Sequence, residues 1–159
     1  MNDIRIIDTH CHLDFNELKT RLDQVIKDAI INNVTDMVTI STNLSRIDTI
    51  KDISEQYQEV FFTVGVHPNE AHKDKQYDDH YFIENYSNHE KCVGIGEGGL
   101  DYYYNKKNMK LQKKSLEVQI DVARSTNLPM IIHSRDADDD MIEILKSEYK
   151  NGPFKAILH

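Results

Sequence analysis

Apolar residues along this chain alternate between two rhythms. Short runs of adjacent apolar or β-branched residues read as buried strands at Ile4 to Asp8, Asp36 to Ser41, 60–66 (VFFTVGV), 92–97 (CVGIGE), 129–133 (PMIIH) and 155–159 (KAILH). Between the first two, Leu18, Leu22, Val25, Ile26 and Ala29 recur at helical spacing, with Asn32-Asn33 as a stop. Further helices are predicted through Ile47, Ile50 and Ile53, near Tyr81 to Tyr86, and at Met141, Ile142 and Leu145. A longer one carries Leu116, Ile120 and Ala123 and must end before Pro129. Apolar strands alternating with amphipathic helices predict an α/β protein with a parallel sheet. Three prolines and six glycines mark no linker, so residues 1–159 are expected to form a single domain.

The polar residues interrupt this rhythm at corresponding places. His10 and His12 end the first strand, His67 the third, Glu97 the fourth, His133 the fifth and His159 the sixth. Parallel strands all point one way, so these groups arrive at one face, where doubly wound sheets and eight-stranded barrels both keep their chemistry. A barrel fits better, because it gathers strands one, four, five and six around a common mouth. An open sheet would string them along a line.

Each residue alone has an ordinary explanation. A His-x-His pair on a strand points both rings the same way and can chelate, yet arises by chance. Cys11, between them, faces the other side and reads as a small buried residue. His133 alone could be a satisfied core histidine, and His159 alone no more than a terminal residue. Glu97 is different: in an apolar, glycine-flanked strand an unpaired carboxylate is costly, which calls for a cation beside it. Four histidines and one glutamate converging on one rim are hard to explain without a metal.

Composition narrows the setting. Hydrophobic residues make up 39% and charged residues 29% of 159, ordinary for a globular chain with a sizeable core. No run approaches the roughly 20 apolar residues of a membrane span, and no signal peptide is read at the N-terminus. Two cysteines, Cys11 and Cys92, imply no disulfide framework, and a cytoplasmic location with reduced thiols is expected. A net charge of −8 argues against binding nucleic acid by bulk electrostatics. It leaves room for a local site whose positive charge comes from metal ions.

The stretches DTHCHLD, GVHP, GEGGLDYY and IIHSRDA, in this order, resemble the successive signatures of TatD-like metal-dependent deoxyribonucleases of the amidohydrolase superfamily. The resemblance covers essentially the whole chain. It implies a (β/α)₈ TIM barrel of the metallo-dependent hydrolase type, a phosphodiester hydrolase acting on DNA, and 3′ to 5′ exonuclease activity. By position, it implies that His10 and His12 hold one divalent ion, that Glu97 bridges two ions as the catalytic carboxylate, and that His133 and His159 hold the second. Two such ions polarise a phosphoryl oxygen and acidify water. Imidazole-rich ligation suits zinc, manganese, nickel or iron better than magnesium.

The family continues past its strand-six histidine with two more strands, their helices and an aspartate ligand. This chain therefore reads as an incomplete barrel with about six of eight βα units, and as catalytically weak or dead by itself. Its open edge strands are expected to favour self-association. The expected partner is DNA, single-stranded or at 3′ ends, and no membrane. Arg135, two residues after His133, is a candidate phosphate clamp. It could equally be a helix-start arginine paired with nearby aspartates. His67 could contact substrate phosphate or a metal's water, or simply stabilise a loop beside Pro68. Tyr102, Tyr103 and Tyr104 could stack on unpaired bases or be ordinary surface tyrosines. His72, His80 and His89 are given no role. Two rivals stay open: another amidohydrolase-type enzyme cleaving an amide, lactone or aminoacyl-tRNA ester, and a non-catalytic fragment.

Overall fold

The computed structural model describes residues 4–72, 79–104 and 106–159. Six strands form one sheet in strict chain order, every neighbouring pair parallel. They are β1 (Ile6–Cys11), β2 (Val34–Thr39), β3 (Val60–Val64), β4 (Cys92–Asp101), β5 (Met130–Arg135) and β6 (Ala156–Leu158). The helices are α1 (Asn16–Lys19), α2 (Leu22–Ile31), α3 (Ile47–Gln56), α4 (Asp79–Ser87), α5 (Met109–Thr126) and α6 (Asp138–Asn151). Successive parallel strands need a crossover, and the intervening helices supply it. The sheet is curled: the rings of His10 on β1 and of His159 just after β6, at opposite edges of the sheet, have centroids 4.2 Å apart. Six βα-type strands rolled this way make the greater part of a (β/α)₈ barrel wall.

Strand interiors and helix faces explain the packing. Val60, Phe62 and Val64 on β3 are fully buried, as is Ile95 on β4. Helix α5 turns Leu116, Ile120 and Ala123 into the same core as Phe62, Val64 and Ile95, the predicted stripe at one-turn intervals. Leu116 and Ile120 each contribute about 1.5–3 kcal/mol by leaving water. Asn127, at φ 57°, caps α5 in the left-handed conformation and turns the chain into Leu128 and Pro129. Three aspartates, Asp138, Asp139 and Asp140, occupy the first turn of α6, where they complement the helix dipole.

Two expectations are corrected. The first strand is not buried: Ile7 on β1 is 58% exposed, and Ile4 and Ile6 are exposed too. β6 is likewise exposed along its length, with Leu158 at 66%. Both strands have a hydrogen-bonded neighbour on one side only, so apolar sequence does not translate into burial there. Strand β4 also runs on to Asp101, past the predicted end at Glu97. Glu97 therefore lies mid-strand on a rigid element.

Candidate metal centre

Glu97 stands at the centre of four imidazoles. Its side chain is nearly buried, and Oε1 lies 2.7 Å from His159 Nε2, 3.0 Å from His133 Nδ1 and 3.7 Å from His67 Nε2. Oε2 lies 3.4 Å from His10 Nε2. Two donor groups result, His10/Glu97/His159 and His67/Glu97/His133, with ligand atoms in each group within 4.8 Å of one another. They line a cavity of about 520 Å³, together with His12. The pairs that the resemblance implies are adjacent as well, with ring centroids 5.3 Å apart for His10 and His12 and 5.6 Å apart for His133 and His159. Curling of the sheet sets His159 beside His10, while the loop after β3 sets the His67 ring 4.7 Å from His133.

The donor set fits divalent cations. One carboxylate shared between imidazole pairs matches the nitrogen and oxygen preference of zinc and its neighbours. His133 Nε2 is buried without a hydrogen-bond partner, its contact to Asp101 Oδ2 being a distant 3.5 Å. Burial opposes charge on Glu97, but the His133 hydrogen bond and the charges of His67 and His159 outweigh it and bring the carboxyl to about 2. Burial also lowers His10 and His67, against the pull of Glu97. Burial thus favours the neutral form of both rings, the form in which an imidazole can ligate a metal. His133 is raised, chiefly by its hydrogen bond to Glu97.

Hydrogen bonds to the far side of each ring distinguish their roles. His12 Nδ1 lies 3.1 Å from the Ile40 carbonyl, so Nδ1 carries the proton and Nε2 keeps a free lone pair. His67 is the reverse: the Asn69 backbone N–H donates to its Nδ1 at 3.1 Å. A neutral His67 ring therefore carries its proton on Nε2, the atom facing Glu97, and acts as a donor there.

Residues that the sequence reading passed over hold these groups in place. Gln119 on α5 accepts from the Val66 N–H and donates to the Val66 carbonyl, both at 3.0 Å, next to His67. Gln112, two turns earlier, makes the same two-way clasp on Asp101, at 2.9 and 3.1 Å. Asp101 in turn accepts from the backbone of Tyr103 and Tyr104 and from the Asn69 amide. The signal was present as two glutamines seven apart on the apolar face of a helix. Gly99, at φ 153°, has to be glycine because a Cβ would collide with the His133 carbonyl on β5.

The rim residues divide. Tyr102 is 7% exposed, sits in the core and donates its hydroxyl to Asp140 at 2.6 Å, so it offers no free face to a base. Tyr103 and Tyr104 are exposed, with the Arg135 guanidinium 4.0 and 4.8 Å from their ring centroids. Arg135 is drawn into this aromatic contact beside the cavity rather than into its lining. Asp8 is exposed and accepts from the His10 backbone N–H. Cys11 turns away from the histidines, as expected, and donates to the Val38 carbonyl.

Comparison with known proteins identifies the family. The chain is 38% identical over 143 residues to YabD of Bacillus subtilis, named as an uncharacterised metal-dependent hydrolase, covering 90% of this chain and 56% of that protein. It is 35% identical over 164 residues to the similarly named BU355 of Buchnera aphidicola, covering 97% and 61%. The chain thus spans somewhat over half the length of these relatives. The crystal structure of YjjV, a TatD homologue from Escherichia coli, superposes with a TM-score of 0.82 at 27% identity over 92% of this chain and 57% of that one. A TatD family hydrolase from Entamoeba histolytica shares the fold at a TM-score of 0.86 and 23% identity, over 98% and 57%. No described helix is long and apolar enough to cross a membrane. With the profile named TatD related DNase matching residues 7–159, the chain belongs to that family of metal-dependent hydrolases.

Proposed function

We infer that this chain carries the binuclear metal centre of a DNA phosphodiester hydrolase, working inward from the 3′ end of an unpaired strand. The observation that supports it most is Glu97, one nearly buried carboxylate with His10, His133 and His159 nitrogens within 3.4 Å of its oxygens. Two divalent ions held there, zinc, manganese, nickel or magnesium, would supply polarisation of a phosphoryl oxygen and a more acidic water. The chain's own residues do the rest. Glu97 and the rings of His10, His12, His133 and His159 fix the ion positions. His67, with its proton on Nε2, donates a hydrogen bond to a phosphate oxygen, a charge-assisted contact stronger than a neutral one. Tyr103 and Tyr104, braced by Arg135, offer an exposed aromatic surface to an unpaired base.

The experiment is metal analysis paired with a substrate panel. After chelation and reconstitution with manganese or zinc, the protein should retain about two ions per chain, and Glu97→Ala should retain none or one. The reconstituted protein is then offered single-stranded and duplex oligodeoxynucleotides labelled at either end, beside small cyclic amides. Binding and shortening of unpaired 3′ ends support the reading. Retained metal with amide cleavage and no oligonucleotide binding overturns it.

A further inference from the structure

Arg46 ends the 3-10 turn Leu44–Arg46 after β2, and the chemistry above gives it no part. Its Nε lies 3.0 Å from Asp14 Oδ2, and its Nη2 donates to the Asp14 carbonyl. Asp14 is 1% exposed, and a carboxylate withdrawn from water this far requires a partner. Burial pushes the Asp14 carboxyl upward, and Arg46 opposes that shift. The guanidinium carbon also stands 5.3 Å from the Phe15 ring centroid. Phe15 stacks in turn on His12, at 4.7 Å and 15°. Arg46, Phe15 and His12 line the same cavity as Glu97.

This is an oriented fork. The Asp14 carboxylate forms an ion pair at Nε and the Asp14 backbone carbonyl accepts from Nη2, which leaves Nη1 outside the pair, while the Phe15 ring lies beside the guanidinium. The Arg46 side chain is still about a third exposed in the cavity wall. Glu70 and Glu97 line that cavity as well, so a bare anion is repelled there, whereas a phosphodiester whose charge is offset by cations is not.

We propose that Arg46 is a phosphate-binding residue that grips a second backbone phosphate of a nucleic-acid strand while its neighbour lies over Glu97. Asp14 is the positioning residue that aims it. Phe15 contacts both the guanidinium and His12, so the fork sits beside the histidine cluster, where the phosphate next to the one over Glu97 can meet it. The proposal rests on the phosphodiesterase reading and adds to it a requirement for at least two linkages in a good substrate.

The test is fluorescence anisotropy with a labelled phosphorothioate oligothymidylate and the manganese-loaded protein, across a salt series. Arg46→Gln should weaken binding about tenfold, the loss of one charge-assisted contact. It should also flatten the slope of log K against log salt by about 0.7, one phosphate on a single strand. Bound manganese should not change. Arg46→Lys should restore the slope and only part of the affinity. Because Arg46→Gln strands a buried carboxylate, the double variant Asp14→Asn/Arg46→Gln, which buries no charge, is measured beside it and should show the same flattening. A lower melting temperature with an unmoved salt slope in both variants overturns the proposal and leaves the nuclease reading intact. No oligonucleotide binding by the parent chain at any salt overturns both.

Discussion

The middle of the sheet and its two edges are built from similar sequence and end in opposite states. Phe62 on β3 is fully buried, packed between neighbouring strands and the helical layer. Ile7 on β1 and Leu158 on β6 belong to equally apolar runs and face solvent. Burial is therefore a property of a strand's neighbours, not of its own residues. The site straddles this contrast: Glu97 and His133 come from the packed middle, His10 and His159 from the edges.

The strongest way to break the comparison is to truncate both kinds of residue. Phe62→Ala should cost about 3–5 kcal/mol, read from the urea midpoint. Ile7→Ala should stay within about 0.5 kcal/mol; an equal cost would mean that β1 is covered in solution. Next in size, Gln119→Leu removes both halves of the clasp on Val66 and strands a buried N–H and carbonyl. A loss of about 2–3 kcal/mol is expected. A parallel fall in metal affinity, by titration, would show that the clasp also serves His67.

A smaller effect probes the edges alone. Ile157→Lys should leave stability within about 0.5 kcal/mol. If the exposed edge drives association, the same change should shift sedimentation toward the monomer. The smallest effect concerns the thiols. Burial pushes both Cys11 and Cys92 up to about 12. At pH 8 they remain protonated, and the folded protein should resist alkylation that proceeds readily in urea. Rapid labelling of native Cys11 would show that β1 detaches.

Strands and helices were legible because each has a short-range period. All six strands lie where apolar runs occur, with ends displaced by a few residues. The histidines and Glu97 were legible as polar residues gathered toward one face of a parallel sheet, although Glu97 lies mid-strand and His67 in the loop after β3. Their grouping was not, since only the curl of the sheet decides that His159 meets His10 and His67 meets His133. Tyr102 could not be told from Tyr103 by sequence; the difference is that its hydroxyl reaches Asp140 on the next helix. Arg46 lies in a polar stretch with no periodicity, and its link to Asp14 crosses 32 positions. Gln112 and Gln119 carry no charge and match no motif, so their tie to the backbone emerges only in three dimensions.

The strict order of strands has a consequence for biosynthesis. Each strand pairs with the one translated just before it, so the sheet can grow outward from the ribosome without waiting for distant chain. His67, Glu97 and His133 can meet once the fifth strand is laid down. The trio of His10, Glu97 and His159 instead joins β1 to the residue that follows β6, so it forms only after the other trio has met.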